Sequence, residues 1–246
     1  MEFRGGPNIY GVSIGVLCLE NHYPKVPGHL KNATTFRFPV CYREVRGATV
    51  RRLIQEADPS LLGPFIEASL ELQSEGVKAI TGSCGFLALF QKEIVQAVNI
   101  PVFLSSLLQL SMIHPMLQKG KRVGVVTADS RALTPRHLEA VGAQNVPIWV
   151  AGMEGQKEFR EVVLEEKKTN LNLVALEMEV LSVAKGLVAS HSDIGAILLE
   201  CTDLPPFSAK IQEAVGLPVF DIVTLIHWVH EAVMRSPFSG FMPPRV

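Results

Sequence analysis

The sequence predicts an α/β fold: two pseudo-symmetric parallel-sheet domains with an active site in the interdomain cleft. Two observations carry this. Short, nearly continuous apolar runs alternate with helical patterns, as strands covered on both faces and joined by right-handed crossovers require. The chain also matches itself. Ile80 precedes Cys84 by four residues and Ile197 precedes Cys201 by four; Cys84 precedes Pro101-Val102-Phe103 by 17 and Cys201 precedes Pro218-Val219-Phe220 by 17. The offset between these copies is 201 − 84 = 117, and Ile14-Gly15-Val16-Leu17-Cys18 parallels Val123-Gly124-Val125-Val126-Thr127 at an offset of 109. A few inserted residues reconcile the two offsets, so the repeat describes whole half-chains and not a short solenoid unit. The first domain is expected over residues 1–117, completed by 218–246, and the second over 118–217.

The elements follow in order. Residues 9–19 read as a buried strand, 20–35 as a loop punctuated by Pro24, Pro27 and Gly28, and 36–46 as a second strand. Leu61, Leu62, Phe65, Ile66, Ser69, Leu70 and Leu72 group at helical spacing across about residues 60–75. The alternation then becomes regular: strand 77–81, helix 86–98, strand 101–104, helix 106–117, strand 122–127, helix 133–141 and strand 146–150. A long helix over 171–189, strand 194–199, helix 208–215, strand 217–220 and a last helix over 222–234 complete it. The charged run Glu161–Lys168 is expected on a solvated helix or loop face.

Composition narrows the partners. Hydrophobic residues make up 48% of 246 residues and formal net charge is −1. A sizeable core is therefore available, and no basic run points to nucleic acid or an acidic membrane surface. No apolar run reaches the length of a membrane span, and residues 9–19 start late and lack a cleavage site. The expectation is a cytoplasmic protein with reduced thiols and room for a homodimer interface.

Four cysteines occur, Cys18, Cys41, Cys84 and Cys201, with no Cys-x-x-Cys pair and no zinc-ligand spacing. Cys18 and Cys41 lie in strand-like runs and read as small hydrophobes. Cys84 and Cys201 stand at the carboxyl ends of predicted strands, where ligands of parallel sheets bind. The following helix N-termini are expected to favour a thiolate and to seat a carboxylate. One thiolate that removes a proton and an opposite thiol that returns one would invert a carbon acid without metal or pyridoxal. No cofactor and no metal are expected.

The segments Thr81-Gly82-Ser83-Cys84-Gly85-Phe86 and Leu199-Glu200-Cys201-Thr202-Asp203-Leu204-Pro205 resemble the two cysteine motifs of the aspartate/glutamate racemase superfamily. Pro27-Gly28, Phe38-Pro39-Val40 and Thr127-Ala128-Asp129-Ser130 extend the resemblance over nearly the whole chain. The superfamily includes amino-acid and hydantoin racemases, maleate isomerases and arylmalonate decarboxylases. The resemblance implies Cys84 and Cys201 as acid/base thiols of a pyridoxal-independent racemase or epimerase of a small carboxylate, such as aspartate or glutamate. Glutamate racemases usually carry Asp-Ser-Gly after the first strand and His after the second Cys-Thr; here these places hold Leu19-Glu20-Asn21 and Asp203. Arylmalonate decarboxylases keep only the second cysteine, so two thiols favour racemisation. The alternatives are a decarboxylase or cis–trans isomerase of the same superfamily, or a non-catalytic carboxylate-binding protein.

The candidate substrate contacts are Asn21, Ser83, Gly85, Ser105, Ser106, Thr127, Thr202 and Asp203. Ser105 and Ser106 serve equally well as helix caps. His227 and His230 have i, i+3 spacing but no evident third ligand, and are expected to pack or face solvent.

Overall fold

The computed structural model describes residues 2, 5–7 and 9–242. In the first half, β1 (Ile14–Cys18), β2 (Val40–Glu44), α1 (Leu62–Ser74), β3 (Ala79–Gly82), α2 (Gln91–Ala97), β4 (Val102–Phe103) and α3 (Leu110–Ile113) follow in order. In the second half come β5 (Arg122–Thr127), α4 (Pro135–Ala140), β6 (Ile148–Gly152), α5 (Lys157–Phe159), α6 (Leu173–Ser190), β7 (Ile194–Leu199), α7 (Ser208–Val215), β8 (Val219–Phe220) and α8 (Ile222–Val233).

Each half builds a four-stranded parallel sheet, ordered β2-β1-β3-β4 and β6-β5-β7-β8. The expected duplication holds down to register. Gly15 pairs with Ile80 as Gly124 pairs with Ile197, and Ile80 pairs with Val102 as Ile197 pairs with Val219. The two glycines have one job. A Cβ on Gly15 would stand 2.9 Å from Leu72 of α1, and one on Gly124 would stand 3.2 Å from Leu187 of α6. Both central strands thus let a helix leucine sit directly on the sheet.

The helices bury the stripes their spacing predicts. α1 buries Phe65, Ala68, Ser69 and Leu72, and α6 buries Leu176, Val180, Ala184 and Leu187. One hydrophobic cluster runs through both halves, from Leu17 and Phe65 to Phe159 and Leu199. Each fully buried side chain of this kind contributes roughly 1.5–3 kcal/mol. A second cluster seats α8 on the first sheet through Ile222, Leu225 and Ile226 against Ile14 and Val16. β8 stays with the second sheet, so the return to the first half begins at α8 and not at residue 218. Asp221 and Thr224 form the capping box that starts α8.

Several elements differ from the sequence reading. The first strand starts at Ile14 because Gly11 adopts φ +86°. The helix expected over 86–98 begins as a 3-10 turn, Gly85–Phe90, and becomes α2 after Phe90 leaves helical dihedrals at φ −100° and ψ 4°. The helix expected over 106–117 is α3 flanked by 3-10 turns at Ser106–Gln109 and His114–Met116, the latter holding Pro115, which has no N–H. Residues 157–164 form α5 and a π-helical turn at Arg160–Leu164, the start of the run expected on a solvated helix or loop face. That turn corrects the solvated-face expectation: Val162, Val163 and Leu164 are buried, while Lys168 pairs with the buried Glu158 and with Glu161. Among the described residues no helix is long and apolar enough to cross a membrane.

Candidate active site

β3 and β7 end at equivalent places, and the chain turns there in equivalent ways. Ser83 N–H donates to Leu17 O at 2.8 Å, and Glu200 N–H donates to Val126 O at 2.8 Å. Ser83 Oγ then accepts the Leu19 N–H at 2.9 Å, while the Glu200 carboxyl accepts the Ala128 N–H. Each sulfur accepts the N–H two residues on, Cys84 from Phe86 and Cys201 from Asp203. The repeat thus supplies two thiol turns of one design.

These turns pack against each other between the sheets. The Thr202 hydroxyl donates to Ser83 O at 2.6 Å. Opposite it, a Cβ on Gly85 would collide with Glu200 Oε1 and stand 2.5 Å from Glu200 O, so only glycine fits there. The result is a small, largely enclosed cavity with about 20 Å³ of space for a water-sized sphere. Both Cys84 and Cys201 line it, with Leu19, Asn21, Tyr23, Val50, Ile54, Ser83, Gly85, Phe86, Ala128, Val163, Glu200, Thr202 and Asp203. The cavity has room for about one water molecule, so a larger ligand enters only when the walls part.

Of the predicted contacts, Asn21, Ser83, Gly85, Thr202 and Asp203 therefore lie with the thiols. Ser105, Ser106 and Thr127 do not line the cavity. Ser105 caps the following turn through the Leu107 N–H at 3.2 Å, Ser106 Oγ donates to Leu199 O at 2.8 Å, and Thr127 Oγ1 donates to Glu200 Oε2 at 2.7 Å. All three support the strand ends from behind.

Asp203 organises one side of the cavity. Tyr23 Oη donates to its Oδ1 at 2.8 Å and His29 Nε2 meets the same oxygen at 2.9 Å. The Lys31 N–H donates to His29 Nδ1 at 2.8 Å, which assigns the proton to Nε2 and makes it the donor. Burial alone would raise the Asp203 carboxyl, but His29 and Tyr23 outweigh it and hold it below the usual carboxylate value. Its Oδ2 accepts from the Cys201 thiol at 3.5 Å. Asp203 stands where the resemblance leads one to expect His; here a buried carboxylate, with His29 brought in from the β1–β2 loop, takes that place.

The expectation that these turns favour thiolates is reversed. Burial raises both thiols well above their ordinary value; Glu200 adds to this at Cys84, and Asp203 then Glu200 at Cys201. The single N–H that each sulfur accepts does not offset it, since no full α-helix N-terminus follows either one.

Sequence reasoning missed Glu200 as a site residue. It is fully buried, and burial pushes its carboxyl up to about 7 against the Thr127 hydroxyl and Ala128 N–H. Its Oε1 has no hydrogen-bond partner. The available signal was its place in the repeat, equivalent to Ser83. Tyr23 and His29 gave no signal, because only the folded loop brings them to Asp203. Outside the site, Cys18 is buried and raised to about 11 by burial, and Cys41 donates to Glu75 at 3.3 Å. His230 stacks on Phe38 with ring centroids 3.5 Å apart and meets Ser13 at 2.7 Å, a packing role.

The family described as Asp/Glu/Hydantoin racemase matches residues 41–229. The chain is 35% identical over 243 residues to a dimethylsulfoniopropionate lyase of Durusdinium sp. clade D, covering 95% of this chain and 79% of that one. It is 31% identical to dimethylsulfoniopropionate lyase 3 of Emiliania huxleyi (strain CCMP1516), covering 93% of this chain and 61% of that relative's length. Among solved structures, the aspartate racemase of Picrophilus torridus aligns with a TM-score of 0.58 at 15% identity, over 91% of this chain and 94% of that one, a likeness of fold. The lyase relatives overturn the expectation of an amino-acid racemase, and with it that of an isomerase. The inference from two retained thiols to racemisation fails because a thiol pair can equally serve an elimination that needs one base.

Proposed function

The chain belongs to the Asp/Glu/hydantoin racemase family, and from that premise we propose that it is a lyase cleaving dimethylsulfoniopropionate by β-elimination. The substrate is a small carboxylate with a sulfonium on the carbon β to the carboxyl group. A base takes a proton from the carbon next to the carboxylate. The electron pair of that C–H bond becomes the C=C bond of acrylate, and the C–S bond breaks toward sulfur. Dimethyl sulfide leaves neutral, so the leaving group needs no acid. The proton remains on the base and passes to solvent before the next turnover.

The base is Cys84. The observation that carries this is the Cys201 thiol's contact with Asp203: a carboxylate held ionised by His29 and Tyr23 keeps its thiol neighbour protonated. Cys84 has no such acceptor; since both sulfurs take a backbone N–H, the Asp203 contact is what distinguishes them. Cys201 then acts as a hydrogen-bond donor toward the charge that builds on the substrate as the proton leaves. A sulfonium cation beside Cys84 favours its thiolate and opposes the rise that burial imposes. The Asn21 amide, neutral and on the cavity wall, is suited to the substrate carboxylate.

The test is product analysis. Purified protein given dimethylsulfoniopropionate should release dimethyl sulfide and acrylate in equal amounts, and Cys84→Ser should abolish both. Deuterium at the carbon next to the carboxylate should slow the wild-type reaction. Release of carbon dioxide, or no release of dimethyl sulfide, would remove this reading.

A further inference from the structure

We infer that Glu200 is the counter-ion for the cationic end of the ligand, and so selects onium-bearing carboxylates over neutral ones of the same shape. This inference rests on the lyase reading for the identity of the ligand, but its evidence is separate. Glu200 is fully buried, lines the thiol cavity and has one oxygen with no partner. Its other oxygen is fully engaged by the Thr127 hydroxyl at 2.7 Å, with the Ala128 N–H on the same carboxyl. A buried acceptor without a donor is destabilising, more so if charged, and a bound cation relieves it.

The remainder of the cavity fits the same assignment. Its lining holds two carboxylates, Glu200 and Asp203, and two aromatic rings, Tyr23 and Phe86, but no lysine, arginine or histidine. Asp203 is already committed to Tyr23, His29 and Cys201. Glu200 alone of the pair has an oxygen without a partner, and that oxygen lies against Gly85, itself part of the cavity wall. Aromatic faces and a free carboxylate together are what a methylated cation requires, since it has charge but no N–H to donate. The repeat makes the point by comparison: the equivalent Ser83 satisfies the same strand-end N–H with a hydroxyl, so the extra reach and charge of Glu200 are not needed for the turn.

Two ligands of one shape separate charge from size. β-Alanine betaine carries a trimethylammonium, with no N–H, where the substrate has its sulfonium, and is a poor leaving group; 4,4-dimethylpentanoate has a neutral quaternary carbon there. Dissociation constants from calorimetry should favour the ammonium over the neutral ligand by ~10-fold or more in the wild type, as expected of a desolvated charge pair. Glu200→Gln should bring that ratio to about threefold or less, the remainder due to Asp203 and the aromatic rings. Glu200→Ser, which copies Ser83 of the other half, is the second variant should the amide disturb the fold. No wild-type preference, or a preference that survives in the folded variants, overturns the inference. Failure of the lyase reading looks different: charge selectivity that depends on Glu200 with no release of dimethyl sulfide would leave the counter-ion in place and change the reaction.

Discussion

Thr202 and Ser83 join the two halves of the repeat at the site itself: the Thr202 hydroxyl donates to the Ser83 carbonyl at 2.6 Å, with both residues buried. Gly85 and Glu200 make the reciprocal approach, backbone against backbone. The spacing of the thiols is therefore set by the turns that carry them and not by distant packing alone.

Thr202→Val removes the donor and keeps the shape. The expected loss is about 1–3 kcal/mol of stability, read by urea unfolding. Gly85→Ala forces a methyl against Glu200 O. Overpacking there is expected to cost about 1–3 kcal/mol or more, with a larger fall in turnover than Thr202→Val.

The thiols should not be equivalent. Cys84→Ser removes the base and is expected to lower kcat by roughly 10²–10⁴-fold or beyond detection. Cys201→Ser keeps a donor and should retain more activity than Cys84→Ser. Equal losses in kcat would contradict the assignment of roles.

Asp203→Asn removes the charge that opposes a Cys201 thiolate. Alkylation of Cys201 by iodoacetamide at pH 8 should accelerate relative to wild type, followed by peptide mapping. An unchanged rate would show that burial alone keeps that thiol protonated.

His137 and Glu200 should tilt stability in opposite directions with pH. Burial lowers His137 to about 4, with Thr134 N–H on its Nδ1, Arg136 nearby and the ring edge-on to Phe86. Its folded value lies below the ordinary 6.5, so the unfolded chain binds more protons between pH 4 and 6.5, and its contribution is lost as pH falls through that window. Glu200 is raised from 4.5 to about 7, among Thr127, Ala128 and Asp203. Its contribution is complete below 4.5 and is lost as pH rises through 7, a change of about 3 kcal/mol. His137→Gln, which keeps a capping acceptor, should therefore gain stability relative to wild type as pH falls from 6.5 to 4. Glu200→Gln should gain relative to wild type as pH rises from 4.5 to 7. Urea midpoints across the range check both signs.

The two-sheet fold and the thiol pair were legible because they are written as a repeat. Fixed intervals from Ile80 to Cys84 and Phe103, and from Ile197 to Cys201 and Phe220, survive as strand register. Asn21, Ser83, Gly85, Thr202 and Asp203 came with their neighbours in the motifs. Residues that reach the cavity from non-repeated segments did not. Val163 lies in a π-helical turn within a charged run, and His29 and Tyr23 sit in an irregular loop. Glu200 shows the other limit: the repeat gives its backbone place, but the burial that leaves Oε1 unpartnered exists only once Gly85 packs over it. The reaction was misread for a chemical reason. Two thiols at one cavity satisfy both a two-base inversion and a one-base elimination, and the cysteine spacing is the same for either.

The most direct test of the central claim is headspace gas chromatography of dimethyl sulfide from purified wild type and Cys84→Ser, each given dimethylsulfoniopropionate. The account predicts dimethyl sulfide matched mole for mole by acrylate in the wild type, and none above background from Cys84→Ser. Wild-type protein that forms neither product, or Cys84→Ser that forms both at the wild-type rate, would contradict it.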